Sequence, residues 1–253
     1  MFRNAVGSAP IFPRSEIREF MKSLYLLIDF FSVIIPLLFS FHPKIQFHRE
    51  WKYFLQSMLL TAIFFLVWDV VFTQLGVWGF NQNYVSGIYF FNLPIEEVLF
   101  FFCIPYSCVF SYFCLGKIFP QLLAARLNSF FIQAIAIVLL IISIFNFGKL
   151  YTALAFSLDG IFLLIAARMI PQKMFLFFIS YLLMLIPFLI VNGILTGTGI
   201  ENEVVWYSNN ENLGIRLLTI PVEDFFYGMF LIGMNIILYE LLNFSKKKNM
   251  VIH

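Results

Sequence analysis

GIYFFNLPIEEVLFFF, residues 87–102, places two adjacent glutamates, Glu96 and Glu97, just after a proline and before three phenylalanines. Carboxylates in so apolar a run are costly if the run lies in a membrane, where acids turn inward and mark functional sites. The composition puts it there. Of 253 residues 61% are hydrophobic and only 12% charged, and the mean hydropathy is +0.90, far from the balance of a soluble domain. Seven apolar stretches reach spanning length, near residues 24–41, 55–77, 90–114, 129–147, 150–170, 174–195 and 217–242. They are long and do not alternate, which predicts a helical bundle rather than a barrel.

The same motif returns as GIRLLTIPVED, residues 214–224, without a gap and 127 residues after GIYFFNLPIEE at 87–97. Gly, Ile, Pro and Glu are identical, and five further positions, including Glu97/Asp224, match in kind. The offset carries the first span onto the fifth and the second onto the sixth, giving two three-helix units joined by the fourth span. Three helices reverse the chain, and one extra span restores its direction, so the repeats should be parallel. The expected fold is an all-α membrane protein of seven transmembrane helices, two parallel three-helix repeats joined by a linker helix. Its divisions are an extension at residues 1–20, a first repeat at 21–115, a linker with the fourth span at 116–148, a second repeat at 149–245 and a basic tail at 246–253. Both motifs then enter from one side, and Glu96, Glu97, Glu223 and Asp224 become four candidate catalytic carboxyls of one cavity.

A plainer reading is helix capping, since Pro94 and Pro221 suit a first turn and acids there are stabilised by the helix dipole. A cap needs one acid, however, and not a duplicated pair. Adjacent carboxyls at low dielectric cannot both ionise cheaply, so one is expected to keep its proton while the other acts as a base. Nearby Phe100, Phe101, Phe226 and Tyr227 are candidate substrate contacts whose ring faces stabilise a cation; aromatics elsewhere read as packing or lipid contact. Asp69 in the second span and Asn192 in the sixth lie at similar depth, four residues off the repeat offset, and are candidates to position the acids. Asp29 and Asp159 lie mid-span in equivalent helices, where a site role and interhelical hydrogen bonding are equally open. An acid, a base, a dry cavity and aromatic walls suit carbocation chemistry on a hydrocarbon.

Cys103, Cys108 and Cys114 all fall in the third span without a CxxC, and His42, His48 and His253 lie in loops or at the terminus, so neither a disulfide framework nor a metal site is expected. No GxGxxG marks a dinucleotide site, no cofactor is expected, and nucleic acid is not an expected partner. Seven spans put six basic residues on the side of the N-terminus and ten, including Lys246, Lys247 and Lys248, on the other. The positive-inside rule sets the C-terminus in the cytoplasm and the N-terminus outside, with a bacterial inner membrane as the expected location. Residues 1–20 lack the apolar core of a signal peptide and are expected to be a disordered tail, with Met21-Lys22 resembling a natural start.

PIEEVLFFF and IPVEDFFYGMFLIGMN, with SFHPKIQFHREW (40–51) and NGILTG (192–197), resemble the integral-membrane lycopene cyclases, which include heterodimeric and fused bacterial enzymes and the cyclase half of fungal bifunctional phytoene synthase/lycopene cyclases. The similarity covers about residues 21–244, and the second motif departs mildly in reading Glu-Asp. It implies an isomerase of carotenoid biosynthesis that turns the linear ψ-ends of lycopene, or a related linear carotenoid, into cyclic ends, usually β-ionone rings as in β-carotene. It also implies contact with the lipid bilayer and with other carotenoid-pathway enzymes as candidate partners. A proton-coupled transporter or a carotenoid-binding membrane protein is the alternative that paired acids and parallel repeats also fit. A retinal protein is excluded because residues 217–242 hold no Schiff-base lysine, and the absence of intramembrane histidines argues against an iron oxygenase.

Overall fold

The computed structural model describes residues 14–251, with side chains from residue 19 to residue 243. In chain order come α1 (Arg14–Phe39), a 3-10 turn (Phe47–Glu50), α2 (Trp51–Leu75), β1 (Trp78–Phe80), β2 (Tyr89–Phe90), β3 (Leu93–Pro94), α3 (Ile95–Ile118), the short α4 (Gln121–Ala124) and α5 (Ser129–Phe145). Then follow α6 (Leu150–Met169), a second 3-10 turn (Pro171–Lys173), α7 (Met174–Leu195), β4 (Val205–Tyr207), β5 (Arg216–Leu217), β6 (Ile220–Pro221) and α8 (Val222–Val251).

Six helices, α1, α2, α3, α6, α7 and α8, are long and apolar enough to cross a membrane among the described residues. The expected fourth span is α5, apolar but only 17 residues long. Asparagines shorten it at both ends: the Asn128 side chain accepts from the Phe130 N–H, and Asn146 is the C-cap. α5 lies antiparallel along α6, with the Ser143 hydroxyl donating to the Ala153 carbonyl at one end and Ala136 against Gly160 further along. Elsewhere α1 packs on α3, α6 and α2 on α8, and α7 on α3.

Two boundaries and one feature of the fold differ from the sequence reading. α1 begins at Arg14, so residues 14–20 are helical and continue into the first span; RSEIREF consists largely of helix formers. Residues 1–13 lie outside the described residues. α8 continues through most of the tail to Val251, and residues 252 and 253 lie outside the described residues. Nor is the fold purely helical, because three two-stranded antiparallel ladders gather where α2 and α7 end and α3 and α8 begin.

Two of these ladders are the acid motifs. β2 pairs with β3 and β5 with β6, each a hairpin closed by a matching bond, Ile95 N–H to the Ile88 carbonyl at 2.8 Å and Val222 N–H to the Ile215 carbonyl at 3.0 Å. Each contains a glycine at positive φ (Gly87, Gly214) and a bulky residue there (Phe91 at 56°, Leu218 at 58°), all at the 127-residue spacing. The third ladder joins the halves: β1, after α2, pairs with β4, after α7, in the register Trp78↔Tyr207, Gly79↔Trp206 and Phe80↔Val205. Its central pair is again 127 residues apart. A β-carbon on Gly79 would meet the Trp206 ring, so the ladder requires glycine there.

The other end of the bundle is tied by polar contacts. Glu240 pairs with Lys173 at 3.2 Å and accepts from the Tyr112 hydroxyl at 2.7 Å, while Tyr239 and Asn243 both donate to Glu50 at 3.1 Å. His48 contacts the Ser40 carbonyl at this end, and Cys103, Cys108 and Cys114 are free along α3.

Candidate active site

The hairpins decide which way each acid faces. α3 starts at Ile95 with Pro94 as its N-cap residue and no side-chain cap, so Glu96 and Glu97 are not spent on their own helix end. Glu96 turns back to its hairpin and accepts the Ser86 N–H at 2.7 Å. Glu223 does the same with the Leu213 N–H at 2.7 Å, and also accepts from the Thr152 hydroxyl at 2.6 Å. Both are fully buried, each with its second oxygen unpartnered.

Glu97 and Asp224 point the other way, into one cavity between the halves. Tyr25 of α1 donates to Glu97 at 2.6 Å and Tyr151 of α6 donates to Asp224 at 2.6 Å, each a short hydroxyl–carboxyl bond. The second helix of each half supplies a further neighbour. Asp69 of α2 lines the cavity with Glu97, whereas Asn192 of α7 donates its amide N–H to Asp224 at 2.7 Å. The joining ladder closes the top: Trp78 donates its indole N–H to Asp69, and Tyr207 donates to Asp224 at 3.1 Å. Burial, and then the facing Asp224 carboxylate, hold the Tyr207 phenol well above its ordinary range, so it remains a protonated donor.

Of the residues singled out in the sequence, Glu97, Asp224, Asp69, Asn192, Phe100 and Tyr227 line the cavity together. Glu96 and Glu223 do not line it. Phe101 packs on Phe100 and Phe65 instead, and Phe226 on Phe156 at 4.8 Å. Sequence reasoning passed over Tyr25, Tyr151, Tyr207 and Trp78. The first two lie 72 and 73 residues before the acids they hold, one residue out of step with the repeat, whose gapless offset pairs Tyr25 with Thr152. Asp29 and Asp159 are buried, and their carboxyl oxygens have no hydrogen-bond partner among the described residues.

The arrangement is that of a polytopic helical membrane protein with a buried, aromatic-walled carboxyl site. The chain belongs to the lycopene cyclase family: the family model described as Lycopene cyclase matches residues 22–115 and 148–242, the two segments that each end in an acid-bearing helix. No curated protein and no solved structure gives a match. Membership makes the protein an enzyme of cyclase type in carotenoid biosynthesis, acting on a carotenoid.

Proposed function

We propose that the chain cyclises the linear ψ-ends of lycopene by cofactor-independent acid–base chemistry, giving β-ionone ends, as an isomerase of the intramolecular lyase type. The observation that carries this reading is the difference between the two acids of the cavity. Glu97 shares its side of the cavity with a second carboxyl, Asp69, and two carboxyls in one dry cavity favour sharing a proton over both being charged. Asp224 instead accepts from three neutral donors, Tyr151, Asn192 and Tyr207, a setting that favours its anion. The Glu97–Asp69 pair is therefore the proton donor and Asp224 the base.

The proton goes to the terminal double bond of the ψ-end and leaves a tertiary cation. The neighbouring double bond attacks that cation and closes the ring, and the positive charge passes to a ring carbon beside the faces of Tyr227 and Phe100. Asp224 removes a ring proton, the new double bond forms, and the atoms of the substrate are unchanged in number. Glu96 and Glu223 hold the hairpins that aim the next residue into the cavity.

The architecture proposed with it is seven spans in two parallel repeats. At helical rise the 17 residues of α5 extend about 25 Å, near the lower end of spanning length, and α5 runs along α6. The register of β1 on β4 supports a twofold between the halves. With seven spans the basic-residue bias favours an outside N-terminus and a cytoplasmic C-terminus. The test is pigment chromatography of a lycopene-accumulating bacterium expressing the chain alone: γ- or β-carotene is expected, and unchanged lycopene in membranes holding folded protein would overturn the reading.

A further inference from the structure

The cavity around the acids has a volume of about 80 Å³, room for a small fragment. A long linear carotenoid is comparable in length to the hydrocarbon core of a bilayer, roughly 30 Å. Its chain needs another place, and one adjoins the cavity. Between α1 and α7 runs an apolar groove of about 530 Å³, whose walls include Leu24, Ile28, Pro36, Pro187, Val191 and Ile194. Groove and cavity have no lining residue in common, but they are lined by consecutive residues of the same two helices. Leu24 precedes Tyr25, Pro187 precedes Phe188, Val191 precedes Asn192 and Ile194 precedes Leu195, the second of each pair lining the cavity. Along α1 the groove extends from Phe20 to Pro36, roughly 24 Å at helical rise.

The corresponding place on α2 is filled. Asp69 is preceded by Trp68, which stacks on Phe65 at 5.7 Å and meets Tyr227 at 5.1 Å. Asn192 is preceded by Val191, whose short side chain leaves the groove open.

We propose that the groove between α1 and α7 is a lateral binding site for the apolar chain of a linear carotenoid, which enters sideways from lipid with its end group between Glu97 and Asp224. This rests on the cyclase reading. Its length, its lack of charge and its place on two helices that also line the acid cavity select a long, stiff hydrocarbon over a polar ligand.

The test compares Leu24→Trp and Val191→Trp, which fill the groove, with Leu59→Trp on the exposed face of α2. Each is assayed with lycopene and with a short acyclic analogue bearing the same terminal diene. Filling the groove should lower kcat/KM for lycopene by about tenfold or more, mainly through KM, and change that of the short analogue by less than about threefold. Leu59→Trp should leave both unchanged. Equal losses with both substrates, or no loss with lycopene, would overturn the proposal. Lycopene retained by purified protein, read by absorbance, separates this from the cyclase reading. If the wild-type chain retains lycopene without cyclising it and Val191→Trp loses it, the groove stands and the enzyme reading falls. If Val191→Trp retains lycopene as well as wild type does, or if only phospholipid is recovered from the groove, the groove proposal falls.

Discussion

α2 and α7 occupy corresponding places in the two proposed repeats, and they differ where it matters. α2 brings a carboxyl, Asp69, to Glu97 and backs it with Trp68 in an aromatic cluster. α7 brings an amide, Asn192, to Asp224 and is backed by Val191 at an open groove. The hairpins, the Tyr25 and Tyr151 hydroxyls and the acids themselves are near copies. On the proposed reading, duplication supplies two like sites, and two adjacent positions on the second helix give one half the proton and the other half the opening. Symmetric parts hold the geometry, and the asymmetric ones set direction.

That comparison breaks most severely at the base. Asp224→Asn keeps the shape and one accepting oxygen but removes the proton acceptor, and cyclised product should fall about 10²- to 10⁴-fold with protein level unchanged on an immunoblot. Asp69→Asn makes the two halves chemically alike. It removes one of the two carboxyls proposed to share the donated proton, and we expect a loss of about 10²-fold in single-turnover rate. Tyr151→Phe takes one of three donors from Asp224, so kcat should fall about tenfold, whereas Tyr25→Phe, which takes the one hydroxyl bonded to Glu97, should cost more.

The smallest effect distinguishes the two acids of one motif. Glu96→Gln retains a carbonyl oxygen for the Ser86 N–H, so product yield should change by less than about threefold. Glu96→Leu leaves that N–H unpartnered and should destabilise the protein by about 1–3 kcal/mol, seen as a lower midpoint in detergent melting. A Glu96→Gln variant as inactive as Asp224→Asn would return Glu96 to the chemistry.

Much of this was legible in the sequence for a physical reason. Acids in apolar spans are rare enough to stand out, and a gapless repeat of Pro, Glu and a second acid locates them twice. Asp69 and Asn192 were readable from depth alone, because the cavity lies at one level. The direction of each acid was not. Neighbours on a helix point about 100° apart, and which one faces inward is set by hairpins only two residues per strand, too short to alternate and turned by Phe91 and Leu218 where glycine is the usual signal. Tyr25 and Tyr151 escaped notice because tyrosine in a span has an ordinary interfacial explanation. The fourth span was read two residues long, to 147, because Phe147 continues the apolar run past the Asn146 cap.

The central claim is that Glu97 with Asp69 gives the proton and Asp224 takes it. The most direct measurement follows carbon-bound deuterium in lycopene recovered from membranes equilibrated in D2O. With Asp224→Asn the donor half still protonates the end group and the cation collapses back, so the recovered pigment should carry solvent deuterium at its ends without normal ring product. With Asp69→Asn it should carry none. The reverse pattern, deuterium with Asp69→Asn and none with Asp224→Asn, would contradict the assignment.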